Sequence, residues 1–245
     1  MYFEVLRPYY FMLASLRLTP FILGMAYFLM AIALYLCIWV APSDFQQGEN
    51  YRIIYVHVPA AWMSLFLYII ISITSFIYLI TKHPILNFFS QTGALLGLAW
   101  TFLTLLTGCF WGKPMWGTFW VWDARLTSVL ILFFIYLGAL RLFEFSAEIG
   151  SIFICIGLIN IPIIKFSVKW WNTLHQPSSI SQFGTSIHIS MLVPLLFMFF
   201  SFFLFSLVFV SLDTRKFILS SYTLSLKKLI NHTQAQVTSV TSRRA

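Results

Sequence analysis

Charge is what this chain has least of. Only 9% of its 245 residues are Asp, Glu, Lys or Arg, against about a quarter in soluble domains, which excludes an ordinary water-soluble globule. Cysteine is also scarce: Cys37, Cys109 and Cys155 stand far apart, with no C-x-x-C and no C-x-x-C-H. A thiol oxidoreductase and a c-type cytochrome are thereby excluded. No G-x-x-x-x-G-K-[ST] phosphate loop occurs, so the chain is not the ATPase of a transport system. No cleavable signal peptide is expected, because the first apolar run is long and no small-residue cleavage site follows it.

Apolar residues are abundant, at 60%, with 27 Phe. Spanning a bilayer takes about 20 mostly apolar residues in a helix, and the chain offers six such runs, near 21–41, 58–81, 92–110, 126–144, 149–166 and 187–211. The expected fold is an all-α integral membrane protein of six transmembrane helices. It forms a single domain over residues 1–211, followed by a basic tail at 212–245. No internal repeat and no soluble domain are read. The Phe-rich, Ser-rich, charge-poor composition is of the kind that organelle genomes encode.

Lys and Arg distribution sets the orientation. Arg7, Arg17, Lys82, Arg141 and the tail residues Arg215, Lys216, Lys227, Lys228, Arg243 and Arg244 fall on one side; Arg52, Lys113, Arg125, Lys165 and Lys169 fall on the other. Both termini are therefore expected on the inner side, cytoplasm or matrix. The net charge of +8, much of it in the tail, reads as orientation and lipid contact rather than nucleic-acid binding. Trp39, Trp62, Trp111, Trp116, Trp120, Trp122, Trp170 and Trp171 then share the outer face, with Trp100 mid-span. An interfacial aromatic belt would populate both faces, so this one-sidedness favours a site.

The segment Trp111 to Thr127, WGKPMWGTFWVWDARLT, carries four of the nine tryptophans. Indole faces offer large apolar area at small entropic cost and stack on extended π-systems. Gly112 and Gly117 would let backbone approach a ligand, and Pro114 is expected to fix a turn. An amphipathic loop anchored in lipid would share this composition. Asp123 directly precedes the fourth run, so it is a candidate helix N-cap as well as a ligand contact. His57, in YRIIYVHVPAAW, and His175, in KWWNTLHQPSSI, lie at the same outer boundary; His188 is a third outer histidine that competes with His175 for pairing with His57. His83 and His232 read as solvated residues.

Two outer histidines beside a tryptophan platform match haem, which is planar, takes axial imidazole ligands and carries two propionates. Arg52, Lys113 and Arg125 are the cations near enough to meet the propionates. Electron-transferring b-type cytochromes place ligands mid-span, and no mid-span histidine pair is present. Surface placement suits loading and release instead.

WGKPMWGTFWVWDARLT resembles the "WWD" motif of the haem-handling protein superfamily. With YRIIYVHVPAAW and WWNTLHQ it resembles one branch, the cytochrome c maturation protein C or haem exporter protein C family, over about Ala41 to Gln176. The run LHQPSSISQFGTSIH looks like the plant mitochondrial branch. The resemblance implies that haem b is held on the outer face by Trp111, Trp116, Trp120, Trp122 and Asp123, with Arg125 as a neighbouring cation. It implies His57 and His175 as the axial ligands of the iron, and it resolves the choice against His188. It further implies a place in c-type cytochrome biogenesis at the mitochondrial inner membrane, or alternatively a bacterial inner membrane. Delivery would be to a membrane-anchored haem chaperone of the cytochrome c maturation protein E type, with no enzymatic activity of the chain's own. The alternative is a membrane subunit of a haem exporter, working with ABC-transporter-like ATPase and permease subunits to move haem across the bilayer. Such a route calls for polar or ligating residues at mid-span, where the sequence offers few beyond scattered Ser and Thr and Asn160.

Overall fold

The computed structural model describes residues 8–171, 174–175, 180–181, 184–185 and 187–242. Arg7, Arg243 and Arg244 from the charge argument, and Asn172, Thr173 and Gln176 from the WWNTLHQ motif, lie outside the described residues. The chain folds as α1 (Pro8–Tyr35), α2 (Ile54–Thr81), α3 (Pro84–Trp116), α4 (Ala124–Phe145), α5 (Ala147–Gly157), α6 (Asn160–Trp170) and α7 (Ile189–Ser242). A two-residue antiparallel pair, Ile180–Ser181 with Gly184–Thr185, precedes α7. Among the described residues, six helical segments are long and apolar enough to cross a membrane, α5 and α6 together supplying the fifth.

The helices overrun the hydropathy-derived spans. α3 continues through Trp116 and includes Pro114, so Pro114 does not make the turn expected of it. The turn comes three residues later, at Gly117, whose φ of 75° favours glycine. Residues 212–242 continue α7 as helix; hydropathy falls there, but nothing in the sequence breaks the helix.

The break between α5 and α6 has a local cause. Pro162 has no N–H to offer the carbonyl four residues earlier, and the chain tightens there, with Leu158 N–H donating to Cys155 O and Ile161 N–H to Leu158 O at 3.3 and 3.1 Å. Asn160 Nδ2 donates to Ser128 O at 3.0 Å, tying the break to α4. Polar groups at this depth need such internal partners because lipid offers none.

α2 and α3 form a tight antiparallel hairpin joined by Lys82 and His83, with Lys82 in the left-handed region at φ 56°. Residues equidistant from this link face each other. Ser75 Oγ donates to Ser90 Oγ at 3.0 Å, and a Cβ on Gly93 would collide with Ile71. α4 and α5 complete this part of the bundle around Tyr68 and Tyr136, both fully buried. Tyr68 donates to Ile154 O at 2.8 Å, Tyr136 to Ser64 O at 2.7 Å, and the two rings meet edge to face at 5.2 Å. α1 packs chiefly on α7, where Thr19 and Ser211 share a hydrogen bond of 2.9 Å.

Gly97 makes room for the Tyr136 ring: a Cβ there would stand 2.2 Å from Cε1 and Cζ. Gly97→Ala is expected to lower stability by about 1–3 kcal/mol, the usual cost of overpacking. A lowered thermal midpoint in detergent, beside an unchanged or raised midpoint for Gly24→Ala, where the added Cβ meets nothing within 4 Å and a helix interior gains by the change, checks this.

Candidate haem site at one end of the bundle

The up-and-down order of the helices brings the start of α2, the end of α3, the start of α4 and the segment after α6 to one end of the bundle. His57, Trp111, Trp116, Trp120, Trp122, Asp123, Arg125 and His175 stand on these elements. His57 sits in the first turn of α2, just before Pro59, which is tolerated so near a helix start. Across the hairpin its Nδ1 lies 3.0 Å from Thr107 Oγ1, and its ring meets Trp111 edge-on at 5.5 Å. Gly108 opens the space for the imidazole, since a Cβ there would stand 3.1 Å from His57 Cε1. Trp111 is fixed in turn by its Nε1–H, which donates to Gln47 Oε1 at 2.9 Å.

The Trp-rich segment is thus three pieces: the last turns of α3, a connection from Gly117 to Asp123, and the first turn of α4. Trp116 folds back along its own helix over Gly112, where a Cβ would stand 3.1 Å from Trp116 Cε3. Trp120 and Trp122 meet edge to face at 5.7 Å, and Trp122 is 77% exposed. The tryptophans are therefore not one flat platform: Trp111 faces the histidine, Trp116 supports the turn, and Trp122 projects outward.

Asp123 is the N-cap of α4, its Oδ1 accepting from Leu126 N–H at 2.7 Å. Its other oxygen, Oδ2, is buried without a partner, and so are Trp120 Nε1 and Arg125 Nε. A buried polar atom left unpaired costs about 1–3 kcal/mol, so three in six consecutive residues mark a place where something polar is expected to bind. Two of the three are N–H donors, the complement of a carboxylate.

Arg125 reaches His175, its guanidinium donating to Nδ1 at 3.2 Å. The other two candidate cations are engaged elsewhere. Arg52 pairs with Glu49 and donates to the Cys37 and Ala41 carbonyls, capping the helical turn Leu36–Val40 where its charge suits the dipole. Lys113 Nζ donates to Gly117 O at 3.0 Å and lies over the Phe119 ring. His188 caps α7, its Nδ1 accepting from Ser190 N–H at 3.3 Å. Thr107, Gly108 and Gln47 were not singled out by sequence. A hydroxyl, a glycine and an amide carry no signal of their own until the segment they face is known.

Known proteins resemble this chain along most of its length. The family model described as Heme exporter protein C matches residues 1–228. A Marchantia polymorpha protein named "Putative cytochrome c biosynthesis ccmC-like mitochondrial protein" is 69% identical over 91% of this chain and 97% of its own length. An Arabidopsis thaliana protein of the same name is 57% identical over 89% of this chain and 85% of its own. The "Heme exporter protein C" of Escherichia coli K12 is 44% identical over 73% of this chain and 75% of its own length.

Proposed function

Since the chain belongs to the Heme exporter protein C family, whose members handle haem in cytochrome c biogenesis, we propose that it holds haem b at the end of the bundle just described and presents it for transfer. It is a multi-pass inner-membrane protein of the mitochondrial type. In the proposed topology both termini face the matrix and the site faces outward, in keeping with the Lys and Arg distribution.

One observation carries this reading. His57 stands at the start of α2 and His175 on Arg125 at the start of α4, at the same end of the bundle as two unfilled N–H donors. The residues present suit haem in kind: imidazoles for the iron, Arg125 and Trp120 Nε1–H for a propionate, and Trp111 against the ring of His57. Bound there, haem would supply iron with two axial positions. His57 and His175 would take those positions, Arg125 and Trp120 would orient the carboxylate edge, and Trp111 would limit the sway of His57. Nothing in the chain needs to make or break a bond within the macrocycle, so the role is binding and delivery rather than catalysis. The exposed Trp122 leaves the site approachable by a membrane-anchored haem chaperone. ABC-transporter-type ATPase and permease subunits would be companions of the same assembly.

Carriage through this chain's own interior has less support. Many of the buried hydroxyls along its helices are spent on local carbonyls, as Ser72 on Tyr68 O, Thr101 on Gly97 O and Thr104 on Trp100 O. Among the described residues no histidine pair stands between the two ends of the bundle. The test is the optical and EPR spectrum of the purified chain, before and after addition of the chaperone. A low-spin ferric bis-imidazole signal that passes to the chaperone is expected. Purified chain that takes up no haem, or holds it without an imidazole ligand, would sink the proposal.

A further inference from the structure

The hydrogen bonds around the two histidines place their protons differently. Thr107 has one hydroxyl proton, and its Oγ1 stands 2.7 Å from Leu103 O and 3.2 Å from Thr104 O. Both neighbours are acceptors, so that proton is committed to the backbone of α3. His57 Nδ1 approaches the same oxygen at 3.0 Å, where only a lone pair remains. The contact is a hydrogen bond only if Nδ1 carries the proton and donates. A neutral imidazole has one N–H, so the lone pair of His57 lies on Nε2. At His175 the logic reverses. A guanidinium has donors and no acceptor, so Nδ1 accepts from Arg125 and the neutral ring carries its proton on Nε2.

We propose that Thr107 is a positioning residue that holds His57 in the iron-ready tautomer, with Nε2 presented, making His57 the standing ligand and His175 the conditional one. This rests on the haem reading above. Thr107, Gly108 and Trp111 confine the His57 ring along one stretch of α3, so the ligand is preorganised before haem arrives. His175 joins through Nε2 only after Arg125 releases Nδ1 and the ring proton shifts from Nε2 to Nδ1. Binding of a propionate to Arg125 favours that release, which couples the second ligand to correct seating of the first. A hydrogen bond to the outer nitrogen of a ligating histidine fixes its orientation and raises its basicity, and losing it costs about 10–100-fold in affinity.

The experiment compares haem retention and ferric EPR of the full chain in detergent for wild type, Thr107→Val, Thr107→Ser and His57→Ala. Thr107→Val keeps the shape of the side chain and removes the hydroxyl acceptor, leaving the Thr104 carbonyl as the imidazole's remaining polar neighbour on α3. It is expected to hold haem about tenfold more weakly, with the low-spin g values of the remaining signal displaced because the imidazole has become a weaker donor. Thr107→Ser is expected to restore both. Wild-type retention and g values in Thr107→Val, with haem lost from His57→Ala, would overturn the assignment. So would weaker retention with unmoved g values, which is packing alone, or a serine variant no better than valine. A wild-type spectrum in His57→Ala would instead remove His57 as a ligand, and the failure would then belong to the haem reading.

Discussion

His57→Ala is expected to cost the purified chain roughly a hundredfold or more in haem retention, beyond the range that an outer hydrogen-bond partner commands. His175→Ala is expected to cost less, roughly tenfold on the same scale. The difference follows from how each ring is held. His57 stands on a helix, hydrogen-bonded to Thr107, with Gly108 and Trp111 leaving it one place to be. His175 stands five residues beyond α6 and is tied to Arg125, so its ligating geometry has to be made when haem binds. Haem per chain after gel filtration, read by absorption, measures both variants. In His175→Ala the residual haem should be five-coordinate and high-spin. Equal losses in the two variants would argue that the rings are equivalent.

Arg125→Gln is expected to move two quantities in opposite directions. Haem retention should fall about tenfold or more, as a charged hydrogen bond worth about 1.5–3 kcal/mol is lost. The haem-free chain should be no less stable, because a guanidinium with a buried, unpartnered Nε is removed. Arg125→Lys should fall between, keeping the charge but losing the planar fork. Thermal unfolding of haem-free protein and haem titration of the same samples provide the check. Parallel loss of stability and binding would make Arg125 a structural residue.

What was legible in the sequence was whatever hydropathy and residue chemistry state locally. Each span of about 20 apolar residues needs no neighbour to declare itself, and all six were found. Asp123 was legible as an N-cap because it precedes an apolar run, and it serves as one. Helix ends were less legible. The last turns of α3 contain Gly112, Lys113 and Pro114, which lower hydropathy without stopping a helix. The tryptophans looked alike as a group and proved unlike, because the contact of Trp111 with His57 and the exposure of Trp122 depend on which helix faces each. The three outer cations were equally indistinguishable. Arg52 and Lys113 are consumed by backbone carbonyls that no sequence motif marks.

The hairpin of α2 and α3 carries one more consequence. His57 and Thr107 meet because each stands about 25 residues from the Lys82–His83 link, on facing helices. At 1.5 Å per residue that link is about 37 Å away, at the far surface of the membrane. One residue inserted into α3 itself, between that link and Thr107, would turn the rest of the helix by about 100° and carry Thr107, Gly108 and Trp111 off the imidazole together. The length of helix between the bend and the imidazole is therefore the setting screw of the contact. A lesion far down α3 would read as loss of the proposed binding in a protein whose every proposed haem ligand is intact.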